Sequence, residues 1–353
     1  MAQLNTIIFP NGDYLKSPGE DTKVTQTETT DNNNYEILLS GTASTATTTE
    51  GSLKSAKLTY NPDKQSVTIG TRKTSSSIGS YGLSVGMDNS VTGAFAVGLG
   101  STVTASNMAA LALGNQTTAS GMYSVAEGKQ TYTTNIAAHA EGYATSANGQ
   151  YSHSEGEFTR ANGEGSHAEG LSTTANGSYS HVEGYCTYTY GRSSHAEGEY
   201  SYANMYSHAE GYYTTSGNYA HAEGAYILAI GSYSHGEGMY NTSSGMYSHV
   251  EGFHGTSIGE SSHAEGEYMI ANHKSQHVFG EYNIADDSTA AATARGNYVE
   301  IVGNGASVSA RSNARTLDWS GNEMLAGNIT VGGSSGGTMK YTASTESIDF
   351  VFN

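Results

Sequence analysis

A histidine and a glutamate two residues apart recur through the middle of the chain, inside pentapeptides such as SHAEG at 166–170. An imidazole and a carboxylate at this spacing could work together in acid–base catalysis, or could both ligate an ion such as zinc or nickel. The complete pairs are His139 and Glu141, His153 and Glu155, His167 and Glu169, His181 and Glu183, His195 and Glu197, His208 and Glu210, His221 and Glu223, His235 and Glu237, His249 and Glu251, and His263 and Glu265. Either chemistry needs such residues once, so their repetition points first to architecture.

Neither catalysis nor metal binding explains this repetition well. Acid–base catalysis needs one positioned pair in a pocket, and a stack of identical pairs offers no pocket. A metal site would find only two ligands per chain in each layer, which is a thin coordination shell. Upstream repeats also carry valine, leucine or isoleucine at the same places. The sequence therefore predicts a structural, hydrogen-bonded ladder, with no catalytic residue, no metal and no cofactor.

The histidines and glutamates of the ladder are offset by one repeat. Eleven histidines run from His139 to His277 and eleven glutamates from Glu127 to Glu265, while Val125 stands in the first empty histidine position. When each glutamate is paired with the histidine of the following repeat, none is left over. We therefore expect contacts between adjacent repeats, across subunits. Ion pairs, neutral hydrogen bonds and metal sites all stay open as the nature of these contacts.

The repeat itself predicts the fold class. Thirteen glycines from Gly114 to Gly280 close the pentapeptides at steps of 14 residues, apart from two consecutive steps of 13 that end at Gly211 and Gly224. A fixed short period indicates a solenoid, and alternation with glycine at the corners predicts strands and turns. We expect an all-β fold, a parallel β-solenoid or β-roll. Each coil would hold two strands of about five residues and would stack ~4.8 Å from the next coil.

Such a thin coil has little interior, which suggests self-association. In each unit, every second residue has a small side chain, as Ser166 and Ala168 do, and these small side chains fit the gap between the two strands. The residues between them must point outward. In the upstream repeats these outward residues are apolar, as in Leu83 and Val85 or Leu111 and Leu113, and such a stripe is not expected to face water along a whole rod. A closed cyclic assembly of identical chains would cover it.

Composition and charge exclude several classes of function. The chain has 353 residues and a formal charge of −18, so nucleic acid would be repelled. Cys186 is the only cysteine, which excludes an internal disulfide. The first 19 residues lack the basic and apolar regions of a secretory signal. No apolar run reaches the roughly 18 residues of a membrane span, so membrane insertion is not expected.

A row of aromatic residues offers the best candidates for contact with a receptor or glycan. These residues follow the closing glycines by two positions, and one further aromatic lies near the C-terminus. They are Tyr200, Tyr213, Tyr226, Tyr240, Tyr268 and Trp319. Aromatic side chains near the turns of a rod can stack on sugars. They can equally shield the edges of the coil, and the tryptophan could form the core of a small hairpin.

The repeat resembles a known family. The run AFAVG, AALALG, SVAEG and SHAEG, with A-x-G between units, is similar to the head repeats of trimeric autotransporter adhesins. That resemblance covers about 215 residues. It implies a left-handed parallel β-roll in which three chains surround one axis; neither the handedness nor the number of chains follows from the period. No segment of this sequence resembles the secretion signal or the C-terminal membrane barrel of an autotransporter, so we expect neither.

The flanks resemble bacteriophage tail proteins instead. Residues 35–70 look like the shaft modules of tail fibres. The segments GNYVEIVGNG at 296–305, ARTLDWSGNE at 314–323 and GGTMKYTASTESIDFVFN at 336–353 look like C-terminal parts of tail proteins from phages of Gram-positive hosts. Together with the absent autotransporter elements, they favour the phage interpretation.

These patterns divide the chain into five expected parts: an N-terminal attachment segment at 1–34, a small β shaft module at 35–65, the roll at 66–285, a linker or neck at 286–297, and a C-terminal β-tip at 298–353.

The expected function is that of a non-enzymatic, receptor-binding phage tail fibre. It would be a homotrimer joined by one terminus to another tail or baseplate protein, and its receptor would be a glycan on the host surface. It would be assembled in the host cytoplasm, carried in the virion tail and extracellular after release. A bacterial surface adhesin of the trimeric autotransporter type is the alternative, and a polysaccharide depolymerase is a weaker one.

Overall fold

The chain folds as a long stack of β-coils. The computed structural model describes residues 63–327 apart from 75, together with strands at 6–8, 14–16, 35–39, 53–61, 329–331, 337–342 and 347–351. The described residues contain no helix, and about 15 turns of the chain form a parallel β-solenoid with coils of about 14 residues. The all-β solenoid predicted from the period is confirmed.

Each coil contributes one strand to a first parallel sheet, which carries the pentapeptides. Its strands are Ser66–Arg72, Leu83–Val91, Val97–Ser101, Leu111–Asn115, Val125–Lys129, His139–Tyr143, His153–Ser154, His167–Ala168, His181–Val182, His195–Glu199, His208–Tyr212, His221–Ala225, His235–Met239, His249–Phe253, His263–Glu267 and His277–Glu281. Neighbouring strands pair in register, so that His139 lies beside His153 and the latter beside His167. Equivalent side chains therefore form straight columns along the rod.

The return strand of each coil belongs to a second parallel sheet. Its strands are Thr104–Ala105, Thr118–Ala119, Tyr132–Thr133, Ser146–Ala147, Arg160–Ala161, Thr174–Ala175, Tyr188–Thr189, Tyr202–Ala203, Thr215–Ser216, Leu228–Ala229, Thr242–Ser243, Thr256–Ser257 and Ile270–Ala271. The expectation of two five-residue strands per coil is wrong for this sheet, whose strands have two residues. The other positions form turns, where residues such as Ser172 and Tyr179 have φ near +59°.

Two glycines of most coils lie directly against the backbone of the next coil. Gly170 has a φ of +97°, and a Cβ added to it would lie 2.2 Å from the carbonyl oxygen of Gly184. Gly177 has no such φ, yet its Cβ would lie 1.7 Å from the carbonyl oxygen of Gly191. In both cases the obstacle is the backbone of the next coil. A side chain at Gly170 would therefore push the coils apart, whereas other coils carry Asn107 or Asn135 at the position of Gly177.

The interior between the two sheets is filled by small residues. Ala168 and Ala175 are fully buried, and Ser166 is nearly so. The buried serine hydroxyl donates to the carbonyl oxygen of Gly163 at 2.8 Å, which satisfies it within the corner turn. The half-exposed His167 and its paired glutamate point away from this interior. The prediction that the small residues of the pentapeptide point inward thus agrees with the structure.

Larger interior residues stand beside glycines that make room for them. A Cβ on Gly236 would lie 2.9 Å from Cγ2 of Ile227, and one on Gly255 would lie 2.6 Å from Cγ2 of Val250. Most other coils place a small residue and a threonine at the positions of Val250 and Gly255. Interior volume is therefore balanced within and between neighbouring coils, as close packing requires.

At its N-terminal end the solenoid continues into antiparallel strands. Tyr35–Leu39 pairs antiparallel with Leu53–Asn61, which pairs antiparallel with the first solenoid strand, Ser66–Arg72. Thr6–Ile8 and Tyr14–Lys16 form a separate antiparallel pair. The rest of the attachment segment expected at 1–34 lies outside the described residues.

At the C-terminal end the chain returns to the first sheet after a detour. The strand Tyr298–Asn304 pairs parallel with His277–Glu281, and Asn313–Asp318 and Glu323–Leu325 then add antiparallel strands. The segment 286–297, expected to be a linker, is tied to the last coil through the buried Asp286. Oδ2 of Asp286 accepts hydrogen bonds from Nε2 of Gln276 at 3.1 Å and from the backbone N–H of the first residue of the returning strand at 3.0 Å.

Farther along the chain, Ile329–Val331, Gly337–Thr342 and Ser347–Val351 form a separate antiparallel sheet of three strands. The remaining residues of the expected tip lie outside the described part. Within the described residues, no helix has the length and apolar character needed to cross a membrane.

Candidate functional site: the histidine–glutamate face

Eleven histidines form one column on the outer side of the first sheet, which we call the histidine column. It runs from His139 to His277, and each member lies beside the equivalent residue of the next coil. The ring centroids of successive members are 4.5–5.0 Å apart, and their planes are inclined by 2–23°. The imidazoles therefore stack face to face along the rod axis.

The glutamates two residues later form a parallel glutamate column beside the histidines. Nine contacts of 3.3–4.0 Å connect a histidine Nε2 with a glutamate carboxylate oxygen. Five connect a histidine with the glutamate of the preceding coil, as in His153 with Glu141 at 3.7 Å. Four lie within one coil, as in His208 with Glu210 at 3.3 Å. The offset seen in the sequence thus describes about half of the contacts that one chain makes with itself.

The two nitrogens of each ladder imidazole have different surroundings. Nε2 is buried in all eleven histidines and has no hydrogen-bond partner, because the carboxylate oxygens beside it lie beyond normal hydrogen-bond distance. Nδ1 of these residues makes no hydrogen bond and is not buried. It is therefore the nitrogen that solvent reaches. A lone pair facing a carboxylate would be repelled. We therefore assign the proton of the neutral imidazole to Nε2.

Six histidines of the column are weaker bases than an ordinary imidazole. Burial, followed by the charge that a neighbouring imidazole would carry, lowers the pKa of His153, His181, His195, His221, His249 and His263. For His249 the pKa falls to about 4. These imidazoles are thus neutral at neutral pH, which favours neutral contacts over ion pairs.

Neighbouring carboxyl groups of the glutamate column share protons. Hydrogen bonding to Glu127 and Glu155 raises the pKa of Glu141 to about 7. Hydrogen bonding to Glu183 and Glu155 likewise raises the pKa of Glu169 to about 7. Hydrogen bonds from Glu169 are the main cause of the lowered pKa of Glu155 and of Glu183. Below a pH of about 7, protonation is therefore favoured at Glu141 and Glu169 over the more acidic Glu155 and Glu183.

The same face continues upstream as apolar columns. Val125, Leu111 and the equivalent residues of the preceding coils lie in register with the histidine column. Leu113 and Leu99 lie in register with the glutamate column, and the latter is 36% exposed. One face of the rod is thus apolar in its first coils and polar in its later ones. All of its side chains are only half covered by their own chain.

The candidate tyrosines form a column of their own. Tyr200, Tyr213, Tyr226 and Tyr240 stack at centroid distances of 4.6–5.4 Å, and the stack continues through His254 to Tyr268. Each ring within the column is covered on both faces by its neighbours. Sugar rings that bind aromatic side chains do so on the ring faces, so the inner members offer only ring edges and hydroxyl groups.

Trp319 does not belong to this column. The guanidinium group of Arg295 lies 4.2 Å from the centre of its ring, so one face of the indole is covered. The adjacent Asp318 accepts hydrogen bonds from the backbone N–H groups of Ser320 and Asn322 and so forms the turn of a hairpin. This arrangement is that of a hairpin residue packed by its own chain.

No protein-family model and no curated protein matches this chain. What the face can do therefore follows from its geometry. A shallow open groove runs beside the glutamate column, lined by Glu155, Glu169, Glu183 and the closing glycines. The groove spans neighbouring coils with equivalent residues, and such a flat repeating surface is suited to contact with another long surface.

Sequence reasoning missed the residues that close the last coil. His273 and Gln276 are buried, although the preceding coil has Gly259 and Ser262 at the equivalent positions. A Cβ on Gly259 would meet the backbone of the next coil, but no further coil covers His273. Inside the stack these columns are interrupted by Asn107 and Ala110 and by Asn135 and Ala138, so the signal of the last coil is the pair of large residues His273 and Gln276.

Proposed function

We propose that this chain is a structural, non-enzymatic attachment protein, a tail fibre or tail-tip protein of a bacteriophage, and that it works as a homotrimer. The observation that carries the proposal is the continuous face of half-exposed apolar and then histidine and glutamate side chains along a thin solenoid. The interior holds mostly alanine, serine and threonine, so a single chain buries little apolar surface of its own. Three such faces around one axis would cover the apolar columns.

Trimer formation can be tested with a matched pair of substitutions in one coil. Leu113 lies in the apolar columns, whereas Thr118 lies on the second sheet and also points outward. Leu113→Glu and Thr118→Glu add the same charge to opposite faces. Light scattering should give about three times 36.9 kDa for the parent and for Thr118→Glu, and a smaller mass for Leu113→Glu. A folded parent monomer at micromolar concentration would refute the proposal.

Further parts of the proposal rest on the resemblance of the repeats and flanks. The roll is left-handed, small β-modules flank it, and one terminus joins another tail or baseplate protein. The protein is assembled in the host cytoplasm, resides in the virion tail and is extracellular after release. Labelling each terminus on intact particles would show which end is attached.

The receptor would be a glycan of the host surface, bound at the edges of the tyrosine column. Ring edges and hydroxyl groups favour hydrogen bonding over stacking on sugar faces. A Tyr213→Phe and Tyr226→Phe double variant keeps the stacked rings and removes two hydroxyl groups. We expect it to bind Gram-positive cell walls more weakly than the parent, at unchanged melting temperature. Equal binding would show that the receptor contacts another part of the chain.

A depolymerase is the second candidate, and the alternating pKa values of the glutamate column favour it. Glycosidases use one protonated and one ionised carboxyl group, and the raised pKa of Glu169 beside the lowered pKa of Glu155 resembles that pattern. Release of reducing ends from host polysaccharide, abolished by Glu169→Gln, would establish this function. A bacterial adhesin of the autotransporter type stays the alternative, which the genes beside this one would distinguish.

A further inference from the structure

We propose that the histidine column is a metal-binding array, in which the solvent-accessible Nδ1 atoms ligate divalent transition ions such as Zn²⁺ or Ni²⁺. The inference rests on the proposed trimer, which would bring three histidine columns together. It goes beyond the structural ladder expected from the sequence, because it assigns a role to the nitrogen that the ladder leaves unused.

The first argument is the unequal environment of the two imidazole nitrogens. Buried polar atoms normally have hydrogen-bond partners, yet all eleven Nε2 atoms of the column have none within hydrogen-bond distance. Their nearest acceptors are the glutamate oxygens, such as Oε2 of Glu197 at 3.4 Å from Nε2 of His195. Solvent does not reach Nε2, so a second chain cannot reach it either. For eight of the eleven histidines a glutamate oxygen lies 3.3–4.0 Å from Nε2, so the Nε2–H side of these rings faces a carboxyl group.

The second argument is that this arrangement is the one found around metal-binding histidines. A ligating imidazole usually donates its other N–H to a carboxylate, which fixes the tautomer and the ring orientation. Here a glutamate oxygen lies 3.4 Å from Nε2 of His195 and 3.3 Å from Nε2 of His208, so a small side-chain movement on metal binding would complete this hydrogen bond. The lone pair of Nδ1 is left free at the surface. Nitrogen ligands select zinc, nickel or copper over magnesium or calcium.

The third argument concerns which histidines share an ion. Several groups of two imidazoles and one carboxylate, including His167, Glu169 and His181, place their donor atoms within 4.8 Å of one another. However, these two rings are stacked with centroids 4.8 Å apart and planes inclined by 7°. Zn–N bonds of roughly 2.0–2.1 Å allow two ligand atoms to be at most about 4.2 Å apart. Parallel rings of one chain therefore do not converge on one ion, whereas rings from three chains in one layer would.

The array predicts a stoichiometry. Each histidine layer of the trimer would hold one ion through three Nδ1 atoms, with a fourth position open to water. Eleven layers from His139 to His277 give up to eleven ions per three chains. This number separates a repeated array from a single adventitious site.

The test measures bound metal and molar mass on the same sample of untagged protein. The protein is equilibrated with ZnCl₂ or NiCl₂, freed of loose ions and analysed by elemental mass spectrometry and light scattering. The array variant changes His167, His181 and His195 to valine, the residue that Val125 provides in the same column. The control is His254→Tyr, because that histidine belongs to the tyrosine column.

We expect the parent and the control to approach eleven ions per trimer and the array variant to approach eight. A Glu155→Gln variant should keep the stoichiometry and bind more weakly, by about 10–100-fold at the affected layer, since its amide is a poorer partner than the carboxylate 3.6 Å from Nε2 of His167. A trimer that takes up no zinc or nickel, or an array variant that binds as much as the parent, would overturn the metal array and leave the proposed function standing. A monomer, with or without metal, would overturn both.

Discussion

The balance of volumes inside the coil gives the sharpest test of how this fold is held together. Gly255 stands where most coils have a threonine, and a Cβ there would lie 2.6 Å from Cγ2 of Val250 and 3.3 Å from Oδ1 of Asn241. Val250 stands where most coils have an alanine, as Ala168 does opposite Thr173. Val182 and Thr187 are the exception in which both larger residues share a coil, so Gly255 should be replaceable by threonine at a lower cost when Val250 is also shortened.

The expected energies follow from these contacts. Gly255→Thr forces a side chain against the fully buried Val250, and overpacking of this kind costs about 1–3 kcal/mol. Val250→Ala removes two buried methyl groups at about 0.8 kcal/mol each, and the cavity adds to this loss. Independent effects would sum to roughly 3–5 kcal/mol. The double variant recreates the alanine–threonine pair of other coils, so we expect it to lose less than about 1 kcal/mol.

The free energy of unfolding is measured by urea denaturation for the parent, both single variants and the double variant, which together form a double-mutant cycle. Hydrogen exchange shows whether the change lies in the coil at 249–262. Gly327→Thr is the control for the substitution itself, because no atom lies within 4 Å of its Cβ. A coupling energy of about 2 kcal/mol or more in favour of the double variant is expected. Losses that add within about 0.5 kcal/mol would refute volume compensation as the principle of the interior.

Three further outcomes follow from the structure. The pKa of Glu141 and of Glu169 is raised to about 7, so the stability that these groups contribute is complete below pH 4.5 and is lost as the pH rises through about 7. In a chelating buffer, the melting temperature should therefore decline less over this pH range for Glu169→Gln than for the parent. Gly170→Ala should unfold its part of the rod, since this residue has a φ of +97° and the added Cβ would lie 2.2 Å from a backbone oxygen, and limited proteolysis would detect the opening. Ala168→Leu should lower the melting temperature far more than Tyr213→Phe, because the alanine is fully buried and the tyrosine is 41% exposed; equal changes would contradict the assignment of inside and outside.

The solenoid could be predicted from the sequence because the 14-residue repeat determines which residues lie above one another in successive coils. Fourteen-residue steps place Gly170 over Gly184 and His167 over His181, and the structure has both pairs in adjacent coils. Strand lengths could not be predicted, because they depend on which turn residues adopt positive φ. Tyr179 has a φ of +59°, although nothing in the tyrosine side chain favours that conformation.

The candidate site was predictable in its composition but not in its geometry. The alternation of small and polar residues showed that His167 and Glu169 share a face. It could not show that Nε2 is the buried nitrogen, because the tilt of a ring depends on the stacked rings above and below it. Nor could it show that the faces of Tyr213 are covered, since stacking depends on rotamers that the period leaves open.

The two short repeats show which part of the coil can lose a residue. The strand pairings stay in register across both of them, for His195 pairs with His208 and the latter with His221. The second sheet is equally undisturbed, because Tyr202 pairs with Thr215. The missing residue must therefore come from the corner turn between the second strand and the next pentapeptide. A residue lost from a strand would instead turn every following side chain to the opposite face. Since the imidazole stack passes through these coils with centroid distances of 4.7 and 5.0 Å, the continuity of the histidine column depends on the register of the strands and not on the length of the turns.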